Sequence, residues 1–171
     1  MKNTILFFAL ALTTGVFYAC QKSAEGTTPT LKVNLTDNPF NAQQVNIDLK
    51  EVRVNYSGDS TSGWTTLNTT AGVYNLLALQ NGVDTTIATG GVPGGQVKEI
   101  RFVLGNNNSI MIDSVVHPLT IPSGAESGLK LKINKQISGS LDSLLIDFDA
   151  ALSVHQTGNG KYMLKPVLKL K

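Results

Sequence analysis

The sequence predicts an all-β protein, an antiparallel β-sandwich of Greek-key type with roughly eight to ten strands. Three observations carry this. Beyond residue 30 the apolar residues recur at every second position, the spacing of half-buried strands. Clusters of Gly, Pro, Asn and Asp fall between these runs at short, regular intervals. No stretch after residue 30 keeps a helical period.

The order of elements begins with a segment that stands apart from the domain. Met1 to Thr4 is polar with one charge, Lys2, and Ile5 to Leu12 is uninterrupted apolar sequence, which Thr13, Thr14 and Gly15 weaken before Val16-Phe17-Tyr18-Ala19-Cys20. A charged head, a short apolar core and a small residue at the end form a secretory signal, here residues 1–19. The run is too short to cross a bilayer, which takes about 20 apolar residues. Cys20 is the only cysteine, so no disulfide forms within the chain. Ala19-Cys20 matches a loose bacterial lipobox, with Phe17 and Tyr18 departing from the usual pattern. Lipidation of Cys20 is therefore expected, and it removes a lone thiol from an oxidising compartment. Gln21 after the cysteine favours the outer membrane over the inner one. Residues 20–30 then read as the lipidated Cys and a polar tether, and residues 31–171 as a single β-sandwich domain.

Within the domain, Leu31, Val33 and Leu35 alternate with polar residues until Asp37-Asn38-Pro39 turns the chain. Val45, Ile47 and Leu49 alternate next, and Val52 and Val54 continue one residue out of step. That slip predicts a β-bulge near Lys50-Glu51. A loop over 56–63 leads to a short strand at Trp64–Leu67. Val73–Leu79 fits either a strand end or a helical turn. Further strands are expected over Val83–Ala88, Val97–Leu104, Ser109–Asp113 and Val115–Ile121. Leu129–Ile133 and Ile146–Val154 alternate cleanly. The last strand covers Tyr162–Leu170, where Pro166, lacking an N–H, demands an edge or a bulge.

Six stretches in this order resemble the domain-of-unknown-function family 4382. They are Leu35-Thr36-Asp37-Asn38-Pro39, Tyr74-Asn75-Leu76-Leu77, Pro122-Ser123-Gly124, Ser127-Gly128-Leu129-Lys130-Leu131, Asp147-Phe148-Asp149-Ala150 and Leu164-Lys165-Pro166. Asn38 departs from the Ala often found at that turn in the family. The resemblance implies a single exported domain, commonly lipid-anchored and of Bacteroidetes type, and implies no activity.

Composition narrows the function classes. The chain is 42% hydrophobic and 15% charged with a net charge of +2, which lacks the basic excess of a nucleic-acid binder. Asp147 and Asp149, two apart on an expected strand, point to one face. With Asp37 from the turn they form a candidate Ca²⁺ site, the only cofactor the sequence suggests. The competing reading pairs them across strands with Lys130 and Lys132, or with Lys161 and Lys165, as surface ion pairs. Trp64, with Tyr56 close by in sequence, is a candidate platform for a glycan, set against a place in the sandwich core. His117 and His155 stand alone, at no metal-ligand spacing, and read as structural. No G-x-S-x-G occurs, and the glycines at 90–95 lack the Lys and helix of a phosphate loop.

The functional expectation is a non-enzymatic, outer-membrane-anchored lipoprotein that serves as a binding or assembly module of the cell envelope. Its partners would be the membrane, through the lipid, and a glycan or an envelope protein. One alternative is a structural subunit of a surface fibre, whose C-terminal strand completes a neighbour's sheet. The other is a hydrolase using Asp147 and Asp149.

Overall fold

The structure, a computed structural model, describes residues 28–38, 40–59, 61–122 and 128–171. The expected signal segment, Cys20 and the tether up to residue 27 lie outside the described residues. Chain order runs β1 (Thr30–Thr36), β2 (Gln44–Asn55), β3 (Trp64–Thr66), β4 (Asn68–Thr69), β5 (Gly72–Asn75), β6 (Thr85–Gly91), β7 (Gly95–Leu104), β8 (Ser109–Ile112), β9 (Val115–Thr120), β10 (Leu129–Ile137) and β11 (Leu141–Phe148). A helical turn, α1 (Ala150–Ser153), precedes β12 (Val154–Gln156), β13 (Tyr162–Leu164) and β14 (Leu168–Leu170).

These strands form an all-β sandwich of two sheets. One has five strands in the order β14-β11-β1-β6-β4. The other has nine, running β10-β7-β2-β8-β9-β13-β12, with β3 and β5 along the opposite edge of β2. Period two explains the packing. Leu31, Val33 and Leu35 from β1, Ile47 and Val54 from β2, and Ile146 and Phe148 from β11 are all fully buried in one core. Each such side chain contributes about 1.5–3 kcal/mol through burial. The phase slip in β2 is a bulge, since its pairing with β7 shifts register between Leu49 and Glu51 and keeps both Leu49 and Val52 inside. The ambiguous stretch from Val73 is both things expected of it: β5 ends at Asn75, which caps a 3₁₀ turn over Leu76–Leu79.

Four features differ from the sequence expectation. Fourteen strands replace eight to ten among the described residues, because several runs are cut into pieces of two to four residues. Two pairings are parallel, β1 with β11 and β13 with β9, so the sheets are mixed rather than purely antiparallel. The run Ile146–Val154 is not one strand. Asp149 accepts the Leu152 amide at 3.0 Å and starts α1 there, so β11 ends at Phe148. The C-terminal run is also split. Pro166 lies between β13 in the nine-stranded sheet and β14 in the five-stranded one.

Candidate functional site

Asp37, Asp147 and Asp149 do come together, at the end of the five-stranded sheet. Parallel pairing of β1 with β11 sets Thr36 opposite Asp147, so the turn after β1 meets the end of β11. Asp37 accepts the Ala150 amide at 2.9 Å through Oδ1 and the Gln80 side-chain amide at 3.2 Å through Oδ2. Asn38 reaches across and donates to Asp147 Oδ2 at 2.6 Å. All three carboxylates are buried, which corrects the expectation of an exposed pair on a strand face.

Burial of Asp147 and Asp149 is offset by two lysines, one on β14 and one just after it, neither of them among the four that the sequence suggested. Lys169 Nζ lies 2.7 Å from Asp149 Oδ2, and Lys171 Nζ lies 3.4 Å from Asp147 Oδ2. Antiparallel pairing places Lys169 directly opposite Asp147. Ammonium groups thus sit where the Ca²⁺ reading needs a cation. Among the described residues, no group of three or more His, Cys, Asp or Glu is arranged to hold a metal ion. Burial alone would raise the Asp149 carboxyl, but the Lys169 hydrogen bond and the Leu152 amide outweigh it and hold it below the usual range. At Asp37 burial wins: its carboxyl is raised despite the Ala150 and Gln80 hydrogen bonds, with the Asp147 charge adding to the effect. Oδ1 of Asp147 is buried with no hydrogen-bond partner.

The aromatic candidates do not form one platform. Trp64 lies opposite Asn55 in the β2–β3 pair and shares its face of the sheet, whereas Tyr56 follows the inward period of Val52 and Val54 and packs on the core. Trp64 is not a core residue either. It is only partly buried, and the Arg101 guanidinium covers one face of its ring at 4.0 Å from the centroid. The Tyr56 hydroxyl is buried without a partner, and burial pushes its pKa up to about 12. A sugar ring cannot span two side chains on opposite faces of one sheet.

A groove elsewhere was not signalled by the sequence. Where β13 begins beside the end of β9, a hollow of about 390 Å³ is lined by His117, Pro118, Thr120, Gly160, Lys161 and Tyr162. The His117 and Tyr162 rings stand 5.0 Å apart, tilted by 54°. A second hollow of about 300 Å³, beside the 104–108 segment and Ile121, shares Pro118 and Thr120 with the first. His117 and Tyr162 are 45 positions apart in sequence, and only the parallel β9–β13 pairing brings them together. His155 lies on β12, exposed, and contributes nothing to this groove.

The profile of one family, described as a domain of unknown function, DUF4382, matches residues 28–166. The chain belongs to DUF4382. No curated protein and no solved structure matches it. In this DUF4382 chain, several of the stretches that carry the resemblance converge on the aspartate end. Thr36 donates to the carbonyls of Leu79 and Val83, holding the 3₁₀ turn against β1. Asn75 accepts the amides of Val45 and Leu77. Ser153 donates to the Asp149 carbonyl and accepts the Val167 amide, which fastens the segment around Lys165-Pro166 to α1. Thr36, Asn75 and Ser153 therefore tie strand ends together, a structural task that accounts for their residue types.

Proposed function

We propose that this DUF4382 protein is a non-enzymatic binding or assembly module of the cell envelope. It is anchored at the outer membrane through lipid on Cys20, as an exported lipoprotein of Bacteroidetes type. The observation that carries the non-enzymatic part is the commitment of the acidic residues. Asp149 is bonded to Lys169 and the start of α1, and Asp37 to Ala150 and Gln80. Such carboxylates bind structure together and are not poised as an acid and a base on either side of a substrate bond. The alternative, a structural subunit of a surface fibre, requires the C-terminal strands to leave partners they hold within the chain, β14 its pairing with β11 and β13 its pairings with β12 and β9.

Expression of the full chain in a Gram-negative host tests the anchor. The protein is expected in the outer-membrane fraction with the added mass of a lipid on its first mature residue. Cys20→Ala is expected to move it to the soluble periplasmic fraction. A wild-type protein found soluble and without lipid would end the reading.

A further inference from the structure

We infer that the groove between β9 and the start of β13 binds an acidic saccharide, a pyranose ring carrying a carboxylate. The inference rests on the binding-module reading above and names the ligand class. The lining supplies the recognition. Tyr162 and His117 are tilted against each other and form an aromatic corner. The apolar C–H face of a pyranose chair packs on an aromatic face, whose π cloud attracts the slightly positive C–H edge. Lys161, exposed beside Tyr162, brings a cation to the rim, and among the described residues no Asp or Glu lines the hollow to cancel it. A compact ammonium on a flexible stem suits a carboxylate that protrudes from a ring. Thr120 also borders the hollow, and its hydroxyl donates to the Tyr162 carbonyl at 3.3 Å, which holds the start of β13 against β9.

Size and continuity favour a saccharide over a lone aromatic acid. The volume of about 390 Å³ falls in the range of small-ligand pockets. The neighbouring hollow shares Pro118 and Thr120 and adds Asn106, whose side-chain amide suits sugar hydroxyls. Two adjoining hollows with different chemistry fit linked rings, one gripped by its charge and the next by its hydroxyls.

Titration of the detergent-solubilised full chain with a galacturonic acid trisaccharide, and with the matching neutral galactose trisaccharide, tests this by calorimetry. The acidic probe is expected to bind saturably and at least tenfold more tightly than the neutral one. Lys161→Glu is expected to weaken the acidic probe at least tenfold with no shift in melting temperature. Tyr162→Leu is expected to weaken both probes, with its melting temperature recorded to separate lost contact from lost fold. Equal binding of both probes, or full affinity in Lys161→Glu, would overturn the acidic class and leave a neutral-saccharide module standing. No saturable binding of either probe overturns the site itself. The membrane association of the same preparation reports on the Cys20 anchor separately, so the two readings fail independently.

Discussion

Asp37 carries a charge that its surroundings oppose, while its oxygens hold two neighbours in place. These two roles can be separated. Asp37→Asn keeps an acceptor for the Ala150 amide and removes the charge; Asp37→Ala removes both. Asp37→Ala is expected to cost about 1–3 kcal/mol, the penalty of a buried N–H left without a partner. Asp37→Asn is expected to cost less, and its pH dependence has a definite sign. A carboxyl raised in the folded state disfavours folding above its folded pKa and ceases to do so as pH falls through that value. The stability of Asp37→Asn relative to wild type should therefore be greater at pH 7 than at pH 3, as thermal melts at the two pH values will show. Asp48, Asp142 and Asp149 act in the opposite sense. Burial opposes each charge, but lysine and amide hydrogen bonds lower all three. Their contribution is present above the unfolded carboxyl range of about 3.9 and is lost as pH falls through the lower folded values. Gly105 is a further residue with a clear expectation. A Cβ there would overlap Asp48 Oδ2 and Lys50 Cε. Asp48 is buried and pinned by Lys50 and the Asn107 amide, so it has little room to move. Gly105→Ala is expected to lose about 1–3 kcal/mol in a denaturant titration.

Among the elements, β11 and α1 form the joint on which the aspartate end turns. Asp149 starts α1 by accepting the Leu152 amide and at the same time receives Lys169 from β14. Asp149→Ala removes the cap, a loss of about 0.5–2 kcal/mol by equilibrium unfolding. Asp149→Asn, which can still cap, is expected to fall between the two proteins. This joint also marks where sequence reasoning reached its limit. Alternation of Ile146, Phe148, Ala150 and Leu152 reads as one strand, because a helical turn of four residues is too short to display a period of its own. A carboxylate at the boundary was the available signal, since Asp is a favoured helix N-cap. In β2 the reverse holds: the bulge was legible because a slip of one residue moves every following side chain to the other face. The convergence of the three aspartates was legible as a set of acids but not as a lysine-filled cluster. Lys169 lies on, and Lys171 directly after, a strand that follows Pro166 and joins a different sheet from β13. The His117–Tyr162 groove left no trace in local sequence, since a parallel pairing between distant strands has no short-range signature.

For the molecule as a whole, the pairing of β1 with β11 matters most. β1 lies at the middle of the five-stranded sheet, flanked by β11 on one side and β6 on the other. Its parallel partner begins at Leu141, more than a hundred residues along the chain. A fragment of residues 28–140 would keep β1 through β10 and leave Leu31, Val33 and Leu35 without one wall of their core. Such a fragment is expected to lack a cooperative thermal transition by circular dichroism, whereas residues 28–171 show one. The central place of β1 also has a mechanical meaning. Thr30 lies at the end of the strand opposite Asp37, and the register with β11 runs without a shift from Thr30↔Leu141 to Thr36↔Asp147. Tension applied to the chain ahead of Thr30 pulls along the axis of β1, so the hydrogen bonds on both its edges are loaded together in shear. They cannot be peeled away one at a time, as they would be from an edge strand. A domain held in this way resists extraction by force at the end where a tether would act, whatever its stability in free solution.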